Sequence, residues 1–248
     1  MERITSRQNA TVRFFRDLSK DAGMRRREKL FLCDGLKLMN EAIRSSAEIQ
    51  TVLWKEKRAP DYPHFSEEYT LPADLFDYVS PMMNSGGPLF SVRMRADDRE
   101  TRIRQALALE CVQDPGNVGT LLRTADAFGI DAVILMEGCA DLYSPKTVKA
   151  SMGAVFRQKV YQMDLADVAG YCRKYGLPLY GAALSDRAAD LRDIDLTDAI
   201  VAIGSEGRGL SSELLKLCDR EIIIPMRGSA ESLNAAIAGS VIMWEMQR

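Results

Sequence analysis

The chain has a single histidine, His64, among its 248 residues. It stands in a turn-rich stretch, which argues against histidine-based acid–base or nucleophilic catalysis. Five cysteines (Cys33, Cys111, Cys139, Cys172 and Cys218) are scattered with no Cys-x-x-Cys pair. Neither a disulfide framework nor a zinc site is implied, no metal is expected, and the pattern reads as reduced thiols in a cytoplasmic protein. Apolar runs such as Ala199-Ile-Val-Ala-Ile203 are far too short to span a bilayer. Met1-Glu-Arg-Ile-Thr5 lacks the apolar core of a signal peptide. The first 100 residues contain no Gly-x-Gly-x-x-Gly, so the usual dinucleotide fingerprint is missing.

What remains is ordinary in bulk: 46% hydrophobic and 27% charged residues, as in a soluble globular protein. The length suits one large domain or two modest ones. The net charge of −2 hides an asymmetry. Residues 1–105 carry 19 basic and 16 acidic side chains, a net of +3, and the remainder carries 14 and 19, a net of −5. Residues 1–29 alone hold nine basic groups against four acidic ones, and seven of the nine are arginine. Arginine offers a planar fork suited to phosphate, so this segment is a candidate footprint for nucleic acid. A solvated helix face is the plain alternative.

Periodicity predicts a helix over 11–22, with Val12, Phe15 and Leu18 on one stripe. Strands are expected at 29–33, 50–54 and 89–94, with a helix from Gly35 to Ile43. These make a small α/β unit over residues 1–100, bounded by the charged stretch Arg95–Arg104. Residues 101–248 then alternate: strands near 107–112, 132–136, 177–184, 199–203 and 221–224, and helices near 117–128, 145–151, 165–175, 211–218 and 233–247. Strands without clean alternation, separated by helices, imply a mostly parallel sheet covered on both faces.

Three blocks carry candidate chemistry. In Asp114-Pro-Gly-Asn-Val-Gly-Thr-Leu-Leu-Arg123, Asn117 stands where a helix N-cap is expected, and Arg123 lies in an apolar helix where a guanidinium needs an anion or a cleft. In Ile203-Gly-Ser-Glu-Gly-Arg-Gly-Leu-Ser211 the glycines permit close backbone approach to a ligand. No Gly-Lys-Ser/Thr follows, which argues against a P-loop. Glu206 in that loop would repel phosphate and suit a cationic ligand or a hydroxyl donor. The third block runs from Ile224-Pro-Met to Ser232-Leu-Asn234, a strand, a loop and a helix start, where Ser232 and Asn234 could simply be caps.

Together these blocks resemble the SpoU/TrmH-type RNA ribose 2′-O-methyltransferases of the SPOUT class. The shared motifs are Asn117-Val-Gly-Thr-Leu-Leu-Arg123 with Ala127-Phe-Gly-Ile130, then Gly204-Ser-Glu-Gly-Arg-Gly-Leu-Ser211, then Ile224-Pro-Met through Asn234. Tyr143-Ser-Pro-Lys146 and Ser151-Met-Gly-Ala154 fit as well. So does an opening similar to a ribosomal-protein-like RNA-binding domain, from Ile4-Thr-Ser-Arg-Gln-Asn9 to Arg25-Arg-Arg27. Asp34-Gly35 and Gly87-Pro-Leu-Phe90 depart from the family pattern.

The resemblance implies an RNA-binding domain over 1–100 and a catalytic domain over 101–248 with a C-terminal trefoil knot. It implies S-adenosyl-L-methionine as cofactor, lined by Leu184, Gly204, Ile224, Met226, Ser232 and Leu233. Catalytic roles fall to Arg123, Asn117, Glu206 and Asn234, and RNA contacts to Arg7, Arg25, Arg26 and Arg27. The reaction would be methyl transfer to a ribose 2′-hydroxyl of RNA, with ribosomal RNA favoured over transfer RNA because of the accessory domain. A homodimer is expected through the terminal helix, whose residues 235–246 are apolar on almost every face; burial of that helix within its own domain is the alternative. A non-catalytic RNA-binding or ribosome-assembly protein that keeps the fold is the second reading. A nucleotide-dependent oxidoreductase lacks its glycine fingerprint.

Overall fold

The computed structural model describes residues 1–96, 101–229 and 231–248. By packing, the chain divides into two units. The first comprises Met1–Ala96 with Asp141–Phe156, and the second the described residues of Asp97–Ala140 with Arg157–Arg248. Part of Arg95–Arg104, where the boundary is expected, lies outside the described residues.

The first unit begins with β1 (Glu2–Arg3) and α1 (Ala10–Lys20). Asn9 caps α1 by accepting from the Thr11 amide, and Val12, Phe15 and Leu18 form its buried stripe. The predicted single helix instead stops at Asp21, whose extended backbone and side chain cap a second helix, α2 (Ala22–Glu28). There follow β2 (Leu30–Asp34), α3 (Leu36–Arg44), β3 (Ile49–Lys55), β4 (Glu67–Leu71), α4 (Ala73–Val79) and β5 (Leu89–Arg93). The sheet order is β1-β4-β3-β5-β2, parallel where β4 is involved and antiparallel around β5. Residues 141–156 belong here by packing: Phe31 stacks on Tyr143 and Phe156, with ring centroids 4.7 and 6.0 Å away.

The second unit holds a seven-stranded sheet. Its first elements are β6 (Gln105–Leu109), α5 (Pro115–Phe128) and β7 (Ala132–Leu135). After α6 (Pro145–Ser151), which packs in the first unit, come β8 (Lys159–Gln162), α7 (Leu165–Tyr175), β9 (Leu179–Ala182), β10 (Ala189–Asp190) and β11 (Ala199–Ile203). The chain ends with α8 (Ser212–Leu217), β12 (Arg220–Ile223) and α9 (Ala235–Glu245). The order is β10-β12-β9-β11-β6-β7-β8, and every pairing is parallel. β7 and β11 are buried at every position, which is why neither shows a two-residue alternation.

Strand order decides where a ligand can sit. From β6 the sheet grows outward through β7 and β8, and the later strands then fill the opposite side, with β11 inserted between β6 and β9. That reversal sets the loops after β6, β9, β11 and β12 side by side at the carboxyl edge, the location favoured for ligands in open α/β sheets.

Candidate functional site

At that edge the second unit encloses a cavity of about 580 Å³, within the range of small-molecule sites. Leu184, Gly204, Ile224, Met226, Ser232 and Leu233 all line it. Each comes from a loop or strand end that follows β9, β11 or β12, so three separate chain segments converge as the sequence pattern implies.

The glycine loop is closed on itself. The Gly209 amide donates to the Ser205 carbonyl at 2.9 Å. A Cβ built on Gly204 would lie 2.1 Å from the Gly209 carbonyl carbon, so only glycine fits there. A second fastening comes from Glu110 at the end of β6. Its carboxylate is almost buried and accepts from the Ser211 amide at 2.7 Å and the Ser211 hydroxyl at 2.6 Å. Ser211 in turn caps α8 by accepting from the Leu214 amide. Glu110 thus pins the far end of the loop. A glutamate at a strand end carries no local signature, so nothing in the sequence singles Glu110 out.

So held, the loop presents Glu206 to two amides. Oε1 accepts from Asn117 Nδ2 at 2.7 Å and from Asn234 Nδ2 at 2.5 Å, with the Ala235 amide at 3.3 Å. Asn234 Nδ2 also reaches Asn117 Oδ1 at 3.3 Å. The three motifs therefore meet in one hydrogen-bonded cluster. The capping role expected for Asn117 is corrected: α5 starts at Pro115, and Asp114 is its N-cap, accepting from the Asn117 amide. With its backbone inside the first turn, Asn117 has its side chain free for Glu206. Asn234 does both tasks, capping α9 through Oδ1 while its amide donates to Glu206.

Arg123, near the middle of α5, is exposed. Among the described residues it has no ion-pair or hydrogen-bond partner. The expected anion is not supplied by the second unit, which leaves the guanidinium directed to solvent. A polar group at the cavity was also missed: Glu221 accepts from the Ser185 hydroxyl at 2.5 Å and pairs with Arg187 at 3.3 Å, and all three residues line the cavity. No signal in the sequence joins residues 36 positions apart.

In the first unit, Arg7, Arg26 and Arg27 are exposed, and Arg27 pairs with its neighbour Glu28. Arg25 does not fit the expected RNA-contacting role. It is 4% exposed, donates to the Leu18 carbonyl at 2.6 Å and forms an ion pair with Asp141 at 2.5 Å. On α2 it falls on the inward face, where a guanidinium persists only when paired. Among the described residues no group of three or more His, Cys, Asp or Glu is assembled that could hold a metal ion, and no helix is long and apolar enough to cross a membrane.

A parallel α/β sheet with an apolar cavity at its last loops and a cluster of amides around one carboxylate defines a small-ligand-binding domain of the SPOUT kind. The sequence places it more narrowly: residues 104–244 match the SpoU rRNA methylase family, and the chain belongs to that family. It is 32% identical to the 23S rRNA (guanosine(2553)-2′-O)-methyltransferase RlmP of Bacillus subtilis over the whole of both chains. Among solved structures it is similar to the AdoMet-bound rRNA methyltransferase of Sinorhizobium meliloti, with 27% identity and a TM-score of 0.89 covering 99% and 97% of the two chains. It is also similar to the SpoU methyltransferase AviRb of Streptomyces viridochromogenes, with 28% identity and a TM-score of 0.84 over 96% of each chain.

Proposed function

We propose that this chain transfers a methyl group from S-adenosyl-L-methionine to a ribose 2′-hydroxyl of ribosomal RNA in the cytoplasm. The observation that carries this reading is the convergence of Asn117, Glu206 and Asn234 beside the cavity that Gly204, Ile224 and Leu233 line. The residues present fit the cofactor: the walls are mainly aliphatic, Gly204 allows backbone to approach closely, and the charged residues Arg187, Glu206 and Glu221 on the lining could meet the polar ends of the ligand. Leu184, Gly204, Ile224, Met226, Ser232 and Leu233 would hold it. When bound, S-adenosylmethionine supplies an activated methyl group, so no metal is required.

The chain's own contribution is positioning and electrostatics. Holding a hydroxyl in line with a reactive carbon is the largest effect available to such a site. Exposed and unpaired, Arg123 would anchor a nucleotide phosphate and stabilise the alkoxide as it forms. A guanidinium carries N–H donors and no acceptor, so Arg123 is given no part in taking up the proton. Glu206, with Asn117 and Asn234, would fix the loop that covers the cofactor and orient the polar edge of the ligand.

Three further features belong to this reading. The C-terminal segment forms a trefoil knot, supported by the insertion of β11 between β6 and β9 and by the backbone contact at Gly204. The first unit, which holds most of the domain expected over residues 1–100, binds RNA through Arg7, Arg26 and Arg27, and the second carries the chemistry. The protein is a homodimer through α9, where Ile237, Val241 and Trp244 leave an apolar stripe exposed at 54%, 38% and 60%. That spacing is one helix face, a feature that invites a partner.

The test is direct. Purified protein is incubated with radiolabelled S-adenosylmethionine and an unmodified 23S rRNA transcript, and the ribose methyl group is mapped by alkaline-hydrolysis protection. Label transferred to a single 2′-oxygen is expected. Binding of RNA with no transfer under any condition would instead favour a non-catalytic assembly role.

A further inference from the structure

In the first unit, two guanidinium groups meet on one aromatic ring. Arg7, in the loop before α1, lies 4.5 Å from the Tyr78 ring centroid, and Arg16, on α1, lies 3.8 Å from it. Tyr78 projects from α4 and is 36% exposed. Neither arginine has a carboxylate within ion-pair distance among the described residues. Elsewhere in this unit Arg3, Arg44, Arg58 and Arg93 are each paired with a glutamate. Here two like charges are gathered and left uncompensated.

We propose that Arg7, Arg16 and Tyr78 form a clamp for phosphodiester groups of an RNA strand. This assignment rests on the reading that the chain acts on RNA. Cation–π contact holds both side chains in place, so less freedom is lost when an anion binds. Guanidinium N–H groups not engaged with the ring remain available, and their fork matches phosphate oxygens. Arg7 and Tyr78 are exposed and Arg16 is half-buried, which suits a polymer backbone passing over the surface. It also lies within the segment of residues 1–29, where nine basic groups face four acidic ones. The clamp joins that segment to α4, a link with no local signature in the chain.

The experiment uses the full chain and an unmodified 23S rRNA transcript, with dissociation constants measured from 50 to 300 mM KCl. In Arg7→Gln/Arg16→Gln the slope of log Kd against log salt is expected to fall by about 1.4–1.8, since each phosphate contact contributes about 0.7–0.9. S-adenosylmethionine affinity and thermal stability should not change. Arg7→Gln alone, outside any helix, should lose about half of that slope and covers the case in which the double variant folds poorly. Arg7→Lys/Arg16→Lys should keep the slope but bind more weakly, because charge is retained and the stacked fork is lost. Tyr78→Ala should likewise weaken binding with little change in slope. An unaltered slope in the double glutamine variant, with the wild type binding well, overturns the clamp alone. A wild type that does not bind the transcript overturns the clamp and the RNA reading together.

Discussion

The candidate sites of the two units handle their polar groups in opposite ways. In the second, Glu206 accepts from Asn117, Asn234 and the Ala235 amide, and Glu110 is satisfied twice by Ser211. In the first, Arg7 and Arg16 share a ring and have no carboxylate to answer them. A site whose polar groups satisfy one another is already shaped, and what it offers a ligand is a cavity of fixed form. A site of uncompensated cations offers charge, and its strength must vary with salt. Arg123 sharpens the contrast: it belongs to the second unit yet has no ion-pair partner among the described residues, as a group meant for an anion from elsewhere would.

The comparison breaks most easily at Gly204. In Gly204→Val the new side chain meets backbone, with even its Cβ 2.1 Å from the Gly209 carbonyl carbon, and backbone cannot step aside cheaply. Calorimetry should detect no S-adenosylmethionine binding at concentrations that saturate the wild type, while RNA affinity, which the proposed function assigns to the first unit, should change little. Unchanged cofactor affinity would remove the cavity from the mechanism. Next in size is Arg123→Ala. Loss of a preorganised transition-state contact costs on the order of 10²–10³ in turnover, and cofactor affinity should stay near wild type because nothing places Arg123 against the cavity wall. A variant that keeps most of its turnover would leave Arg123 a surface residue.

Much of this was readable in advance, and the reasons are local. The parallel core strands follow from unbroken apolar runs such as Ala199–Ile203, and α1 from the spacing of Val12, Phe15 and Leu18. The convergence of three loops came from motif resemblance, since no periodicity could bring Asn117 to Glu206. What escaped was short or non-local. α2 is a seven-residue helix that begins where α1 ends, and β4 and β8 are brief strands with mixed burial. Arg25 looked like its neighbours Arg26 and Arg27, and only the partner at Asp141, 116 residues on, turns it inward.

Glu110 tests whether the shaped site depends on its fastening. Glu110→Ala leaves the half-buried Ser211 amide without its acceptor, which should cost about 1 kcal/mol, the low end of the range for an unsatisfied donor. A urea midpoint lowered without a change in slope should report that loss. Cofactor affinity should fall with it, because the Ser211 end of the glycine loop is released. Glu110→Gln retains one carbonyl acceptor and should recover part of both. Full stability with lost affinity would mean that Glu110 acts on the ligand itself.

The smallest effect concerns the thiols, which compare the two units without disturbing either. Burial raises the Cys33 thiol in the first unit well above its ordinary value. In the second, burial pushes Cys139 and Cys172 up to about 11 and Cys218 up to about 12. The reactive species is the thiolate, so these four should be nearly inert in the native protein at pH 8. Cys111 is exposed at the turn that leaves β6 and should react first with a disulfide reagent. One fast equivalent followed by four slow ones is the expected time course, and cofactor binding should protect Cys218 further, since its sulfur packs against Gly181 on β9, next to the cavity. Two or more fast equivalents, located by mass spectrometry of the labelled peptides, would show that one of the units opens in solution more readily than its packing implies.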